Sequence, residues 1–209
     1  MENIRIALVT GGNKGIGLEI VRQLAQAGLE VVLGARDRER AAAEVAALAN
    51  DRLTVRFFHL DLDYPDSIEA AAAWIDGAYG RLDSLVNNAG IFDFADATPG
   101  KASIEAVRRV MEVNFIGTLA VTQAMLPLLG RSAEARIVNV SSSLGSLTLN
   151  GDPSSPFYAQ RFIGYNASKA ALNMLTVQLN EELKETGIRI NSVSPGFVKT
   201  DLTGYGTMT

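Results

Sequence analysis

The sequence is 209 residues long, 47% hydrophobic and 20% charged, an ordinary globular balance with enough chain for one domain and a sizeable core. A formal net charge of −4, from 19 basic and 23 acidic residues, argues against a general binder of nucleic acid or anionic membrane. The absence of cysteine excludes disulfides, thiolate metal sites and a cysteine nucleophile, and the single histidine, His59, cannot build a His-rich metal centre or support a Ser-His-Asp triad, so no metal is expected.

The chain enters a strand at once, without a signal peptide, and no apolar run reads as long enough to span a bilayer, so a cytoplasmic protein is expected. Ile4 to Val9 is a short apolar run of β character. Thr10-Gly11-Gly12-Asn13-Lys14-Gly15-Ile16-Gly17 follows, and a helical pattern through Ile16, Ile20, Val21 and Leu24 stops at Gly28. Strand, glycine-rich turn and helix form the setting that a dinucleotide fingerprint requires. Glycines let the backbone approach a pyrophosphate, and the helix N-terminus offers it free N–H groups and the positive end of a dipole. The spacing is Gly-x3-Gly-x-Gly rather than the more widespread Gly-x-Gly-x2-Gly, and a plain glycine turn is the minority reading.

A second strand, Glu30 to Gly34, leads into Ala35-Arg36-Asp37. An acid near the end of this strand would bind the ribose 2′-hydroxyl of NAD, whereas an arginine accommodates a 2′-phosphate. Ala35 stands at roughly the acid's place, Arg36 follows it, and Lys14 adds a cation from the glycine loop, which together favour NADPH. Two solvated surface charges are the alternative.

Arg38 to Asn50 is an alanine-rich helix, and Leu53 to Leu60 a third strand that holds His59 and ends at Asp61. Asp66-Ser67-Ile68-Glu69 reads as a capping box that opens the next helix, which leaves Asp61 for another role, an adenine contact or a simple turn. Ser84 to Val86 is a fourth strand running into Asn87-Asn88-Ala89-Gly90, a turn placed to line the cofactor. Ile104 to Leu129 is a long helical stretch with Pro127 near its end and Asn114 in its middle, where asparagine is a poor helix former and needs a reason in packing or chemistry.

Ala135 to Ser141 is a fifth strand ending in Ser141-Ser142-Ser143, with alternation setting Ser142 on the face opposite its neighbours. Leu144 to Gly164, rich in Gly, Pro, Ser and Asn, reads as a loop or lid. A helix from Tyr165 to Glu185 follows, with a broad apolar face through Ala167, Ala170, Ala171, Leu172, Met174, Leu175, Val177, Leu179 and Leu183. Tyr165 and Lys169 are four apart and stack one turn above each other. An ammonium near a phenol favours phenolate, and a phenol tuned down from its usual value of about 10 can exchange a proton with a carbonyl or alcohol oxygen. On that spacing alone, a surface pair is the plainer reading. A sixth strand, Ile188 to Val193, precedes Pro195-Gly196-Phe197-Val198-Lys199-Thr200.

Strands alternate with helices and no repeat or linker appears, so the expected fold is a single α/β domain, 1–209, with one doubly wound parallel sheet and helices on both faces. Ligands bind such sheets beyond the carboxyl ends of the strands, where each of these motifs lies.

Together, Thr10-Gly11-x3-Gly15-x-Gly17, Asn87-Asn88-Ala89-Gly90, Ser142, Tyr165-x3-Lys169 and Pro195-Gly196 resemble the short-chain dehydrogenase/reductase family over essentially the whole chain. The resemblance implies that Ser142 polarises the substrate oxygen and that Tyr165 is the acid/base. It implies that Lys169 lowers the tyrosine pKa and binds the nicotinamide ribose, and that Asn114 holds a water in a relay to Lys169. Cofactor contacts would come from Gly11, Asn13, Lys14, Gly15, Ile16 and Gly17, from Arg36, from Asp61 and Leu62 on the adenine side, and from Asn88, Ala89 and Gly90. Pro195, Gly196, Val198 and Thr200 would complete the set, with Thr200 at the carboxamide. Asn13-Lys14 with Ala35-Arg36 is similar to the NADP-preferring carbonyl reductase branch.

Two features depart from most members. The 22 residues between Ser142 and Tyr165 (143 to 164) make a longer gap, of the kind that covers a dimerising helix face in carbonyl reductases, so monomer and homodimer both stay open. The sequence stops at Thr209, so the substrate-covering helix and last strand of the family are expected to be lacking. The expected activity is NADPH-dependent reduction of a ketone or aldehyde. A dinucleotide-holding module without turnover and an alcohol dehydrogenase working in the oxidative direction are the alternatives. The expected partner is a small-molecule carbonyl compound, apolar or aromatic if Phe92, Phe94, Phe157, Tyr158, Phe162, Phe197 and Tyr205 line a pocket rather than anchor loops.

Overall fold

The computed structural model describes residues 4–203. Six strands, β1 (Ile6–Thr10), β2 (Glu30–Ala35), β3 (Val55–His59), β4 (Ser84–Asn87), β5 (Arg136–Val140) and β6 (Arg189–Val193), form one parallel sheet in the order β3-β2-β1-β4-β5-β6. Parallel strands need crossovers, and the apolar helices between them supply these. Strand alternation divides the core. Ile6 and Leu8 of β1 face a cluster built with Ile75, Met125, Leu129 and Leu179, while Ala7 and Val9 face one built with Val21, Ala41 and Leu48. Helices α1 (Gly15–Gln26) and α2 (Arg38–Asn50) therefore cover one face. Helices α3 (Pro65–Tyr79), α5 (Thr118–Leu129) and α7 (Ile163–Glu182) cover the other. The strand order reverses between β1 and β4, and a crevice opens beyond their carboxyl ends.

Several expected elements shift, each for a local reason. The capping box at Asp66 does not form. Pro65, pre-set for the first helical position, starts α3 earlier with Tyr64 as the flanking residue, so Asp66 lies inside the first turn, where it favours the dipole. Ser67 instead takes a hydrogen bond from the Asp61 amide at 2.9 Å and donates to the His59 carbonyl at 3.3 Å, tying the turn after β3 to α3. The stretch Ile104 to Leu129 is helical throughout but not regular. α4 (Ile104–Met111) passes through a π-helical segment, Glu112–Gly117, before α5 begins, and Asn114 lies in that segment. By length and composition this 26-residue stretch is apolar enough to cross a bilayer, contrary to the expectation from sequence. Its buried side chains, Val110, Val121, Met125, Leu128 and Leu129 among them, belong to the core.

The segment 144–164 is not simply a loop. It begins within a 3-10 turn (Ser143–Gly145) and contains the short helix α6 (Leu147–Gly151), and its last residues already belong to α7. The broad apolar face expected of α7 is narrower than the sequence suggests. Leu172, Leu179 and Leu183 are buried, but Met174 and Val177, one stripe around the helix, are 56% and 66% exposed.

Candidate active site

Tyr165 is the third residue of α7, and its position is fixed from two sides. The carboxylate of Asp96, only 4% exposed, accepts hydrogen bonds from the Gly164 and Tyr165 amides at 2.9 and 2.7 Å, and Ala97 O accepts from the Ile163 amide at 3.0 Å. The loop 91–97 thereby satisfies the free N–H groups of the helix start and sets an anion at its positive end. Because Asp96 works this way as an N-cap, Asp96→Ala should cost about 1–2 kcal/mol of stability. Urea unfolding of the variant checks this.

One turn further, Lys169 is 5% exposed and its Nζ donates to Val140 O at 2.8 Å, 5.7 Å from the Tyr165 ring centroid. A Cβ on Gly145 would lie 2.7 Å from the Lys169 carbonyl carbon, so only glycine lets the turn after β5 pack this closely on α7. Ser142 follows β5 in an extended conformation; its Oγ accepts from the Leu144 amide at 3.2 Å and its hydroxyl hydrogen-bonds the Tyr165 phenol. Alternation does not separate Ser142 from its neighbour, because β5 ends at Val140 and the Ser141 hydroxyl also turns to α7, onto Lys169 O at 3.4 Å.

The expected tuning of the tyrosine runs the other way here. Burial of the phenol pushes the Tyr165 pKa up, and the hydrogen bond to Ser142 only partly opposes it. Burial of the ammonium pulls Lys169 down to about 8. Both charged forms lose hydration, and that loss outweighs the attraction that their spacing suggests.

Asn114, fully buried, lines neither cavity. Its Oδ1 accepts from the Ile91 amide at 2.7 Å, and its Nδ2 donates to Ile91 O at 3.0 Å and to Ser168 Oγ at 3.1 Å. Ser168 in turn donates to Tyr165 O at 2.7 Å, so the π-helical segment, the turn after β4 and α7 are joined through one amide.

The glycine turn is held by Thr10, whose Oγ accepts from the Asn88 and Ala89 amides at 3.1 and 3.0 Å, while Asn88 Nδ2 donates back to Thr10 O and Gly11 O. A Cβ at Gly17 would lie 2.2 Å from Gly11 O and 2.4 Å from Asn88 Nδ2, which leaves no room for any other residue. Beyond this turn lies a cleft of about 340 Å³. Gly11, Asn13, Lys14, Gly15, Ile16, Gly17, Arg36, Asp61, Leu62, Asn88, Ala89, Gly90 and Thr200 all line it.

A second cavity, about 410 Å³, shares Ile16, Asn88, Gly90 and Thr200 with the first and continues it past Ser142, Tyr165 and Lys169, with Pro195, Gly196 and Val198 on its rim. Phe92, Phe94, Phe157, Phe162 and Phe197 give it an aromatic wall, with Phe92 edge-on to Tyr165 at 5.8 Å. Tyr158 is not part of that wall and carries the Arg161 guanidinium on its ring at 4.4 Å, and Tyr205 lies outside the described residues.

Sequence reasoning missed four residues of this arrangement: Thr10 as a tie, Asp96 as a cap, and Arg40 and Asp201 on the wall of the first cleft. Arg40 had a signal, being four residues beyond Arg36 in the first turn of α2. The others act on partners far along the chain.

A family model described as short chain dehydrogenase matches residues 5–207. The carbonyl reductase (NADPH) 1 of Rattus norvegicus is 36% identical over 238 residues, covering 95% of this chain and 83% of that protein. The protein of the same name from Homo sapiens is 37% identical, over 96% of this chain and 84% of its own length. The crystal structure of NADPH-bound carbonyl reductase from chicken fatty liver superposes with a TM-score of 0.86 at 35% identity, covering 99% of this chain and 84% of that one.

Proposed function

The chain belongs to the short-chain dehydrogenase family, and from that premise we propose that it reduces a ketone or aldehyde to the alcohol, with NADPH as cofactor and Tyr165 as the acid. The observation that carries this reading is the placement of Ser142, Tyr165 and Lys169 on the wall of an aromatic cavity that continues the cleft beyond the glycine turn.

The residues fit the cofactor on chemical grounds. The cleft combines a glycine turn that admits no side chain at Gly17, the N-terminus of α1, and the cations Lys14, Arg36 and Arg40 where a 2′-phosphate would lie. Asp61 and Leu62 would take the adenine side. Thr200 and the rim residues Pro195, Gly196 and Val198 would take the nicotinamide side. When bound, NADPH supplies the hydride that reduces the carbonyl carbon.

The chain's own groups do the rest. Ser142 and Tyr165, already hydrogen-bonded to each other, converge on the site for a carbonyl oxygen. Burial keeps the phenol protonated at neutral pH, so Tyr165 can give its proton to that oxygen as negative charge develops. Lys169, with its pKa near neutrality, can return a proton to the tyrosine. The second lone pair of Asn114 Oδ1 would accept from a water on the Lys169 side, since a Cβ on Gly90 would lie 3.3 Å from Oδ1 and 3.6 Å from Lys169 Nζ. A protonated tyrosine favours reduction over alcohol oxidation near neutral pH. The aromatic wall fits an apolar or aromatic carbonyl compound.

Loss of NADPH absorbance with a panel of aryl and alkyl aldehydes and ketones tests this reading. Turnover that favours the aromatic members is expected. Tight NADPH binding with no turnover across the panel would leave only a dinucleotide-holding module. Arg36→Ala should raise the KM for NADPH about 10-fold while moving that for NADH less than about twofold, since only NADPH carries the phosphate the guanidinium would hold.

A further inference from the structure

The first cleft already holds an anion of the chain's own. Asp201, in the short turn Asp201–Thr203, places Oδ2 3.0 Å from Lys14 Nζ and 3.0 Å from Arg40 Nη1. Its partners come from two different elements, Lys14 from the glycine turn that precedes α1 and Arg40 from the first turn of α2, 187 and 161 residues away in sequence. The neighbouring Thr200 leans on the glycine turn, where a Cβ at Gly15 would lie 3.1 Å from its Cγ2. Asp201 itself is 28% exposed, while Lys14 and Arg40 are half-exposed, so the bridge sits at the mouth of the cleft rather than in the core. Arg36, the remaining cation here, faces Asp63 at 3.5 Å.

We propose that Asp201 competes with the cofactor's 2′-phosphate for Lys14 and Arg40, so that binding of a 2′-phosphorylated nucleotide displaces the Asp201 carboxylate from these two cations. This rests on the reading of the cleft as an NADPH site. A carboxylate and a phosphate cannot both take the space between these two cations without strong like-charge repulsion, and the phosphate, with more charge and more acceptor oxygens, is the better ligand. A nucleotide without the 2′-phosphate makes no such demand and leaves the bridge in place. The selectivity of the cleft for phosphorylated cofactor is therefore partly offset by the chain's own acid.

The test is calorimetric titration of wild type, Asp201→Asn and Asp201→Ala with adenosine 2′,5′-bisphosphate and with 5′-AMP. These fragments probe the adenosine end without any turnover. Two exposed ion pairs no longer need breaking, so both variants should bind the bisphosphate about 3- to 10-fold more tightly and 5′-AMP within about twofold of wild type. Unchanged or weaker bisphosphate binding in both variants would overturn the competition while leaving the cofactor reading intact. Wild-type binding of the bisphosphate no tighter than that of 5′-AMP, with both variants the same, would overturn the cofactor reading and the competition together.

Discussion

Tyr165→Phe is expected to lower kcat for carbonyl reduction by about 10²- to 10⁴-fold, the usual worth of a positioned general acid. The substitution removes one oxygen and keeps the ring. The edge-on contact with Phe92, itself edge-on to Phe162 at 4.9 Å, survives, so the aromatic wall and the start of α7 stay in place. The cap at Asp96 binds the backbone of residue 165 and is indifferent to its side chain. NADPH affinity should therefore change less than about threefold, and the loss should fall on kcat rather than on cofactor binding. Ser142 loses its partner but keeps the hydrogen bond from the Leu144 amide. Steady-state kinetics with a fluorescence titration of NADPH separates the two quantities. A variant that retained more than about a tenth of wild-type kcat would move the acid role to another group.

How much of this could be read from the chain depends on how local each feature is. The glycine turn, the Tyr165–Lys169 spacing and the α2 boundaries were legible because residues within one or two turns determine them. That the strands would form one parallel sheet followed from their strict alternation with helices, whereas the order β3-β2-β1-β4-β5-β6 appears only in the structure. Asp96 was not legible, because its two amide partners lie 68 and 69 residues further on and nothing in its neighbourhood marks a cap. The π-helical segment was legible only as a misplaced asparagine at 114. The reason for that asparagine, a two-way bond to Ile91, exists only once β4 and α7 flank it. The direction of the Tyr165 shift was misread for the same kind of reason. Spacing shows that an ammonium is near, but only packing shows that both groups have lost their water.

That loss of water makes Lys169→Met a prediction with two opposite signs. Activity should fall by about 10²-fold or more, because the group proposed to return a proton to Tyr165 is gone. Stability at pH 7 should rise. The lysine has a pKa of about 8 in the fold against an ordinary value of 10.5, so the unfolded chain holds its proton more tightly. Between those values the unfolded state binds more protons, and wild-type stability therefore climbs with pH through this window and is lost again as pH falls through 8. Below pH 8 the full cost of burying the ammonium applies, about 3 kcal/mol for a shift of this size. Methionine fills a similar volume without that cost, but leaves Val140 O without its donor, which returns about 1 kcal/mol. A net gain of about 2 kcal/mol at pH 7 is expected, shrinking to nothing or reversing by pH 10. Urea unfolding of wild type and variant at pH 7, 8, 9 and 10 measures it. Stability curves that run parallel across this range would mean that Lys169 keeps an ordinary pKa in the fold, and its part in returning the proton would go with it. Converging curves together with lost turnover would show a buried charge that the fold tolerates at the cost of stability and that the chemistry requires.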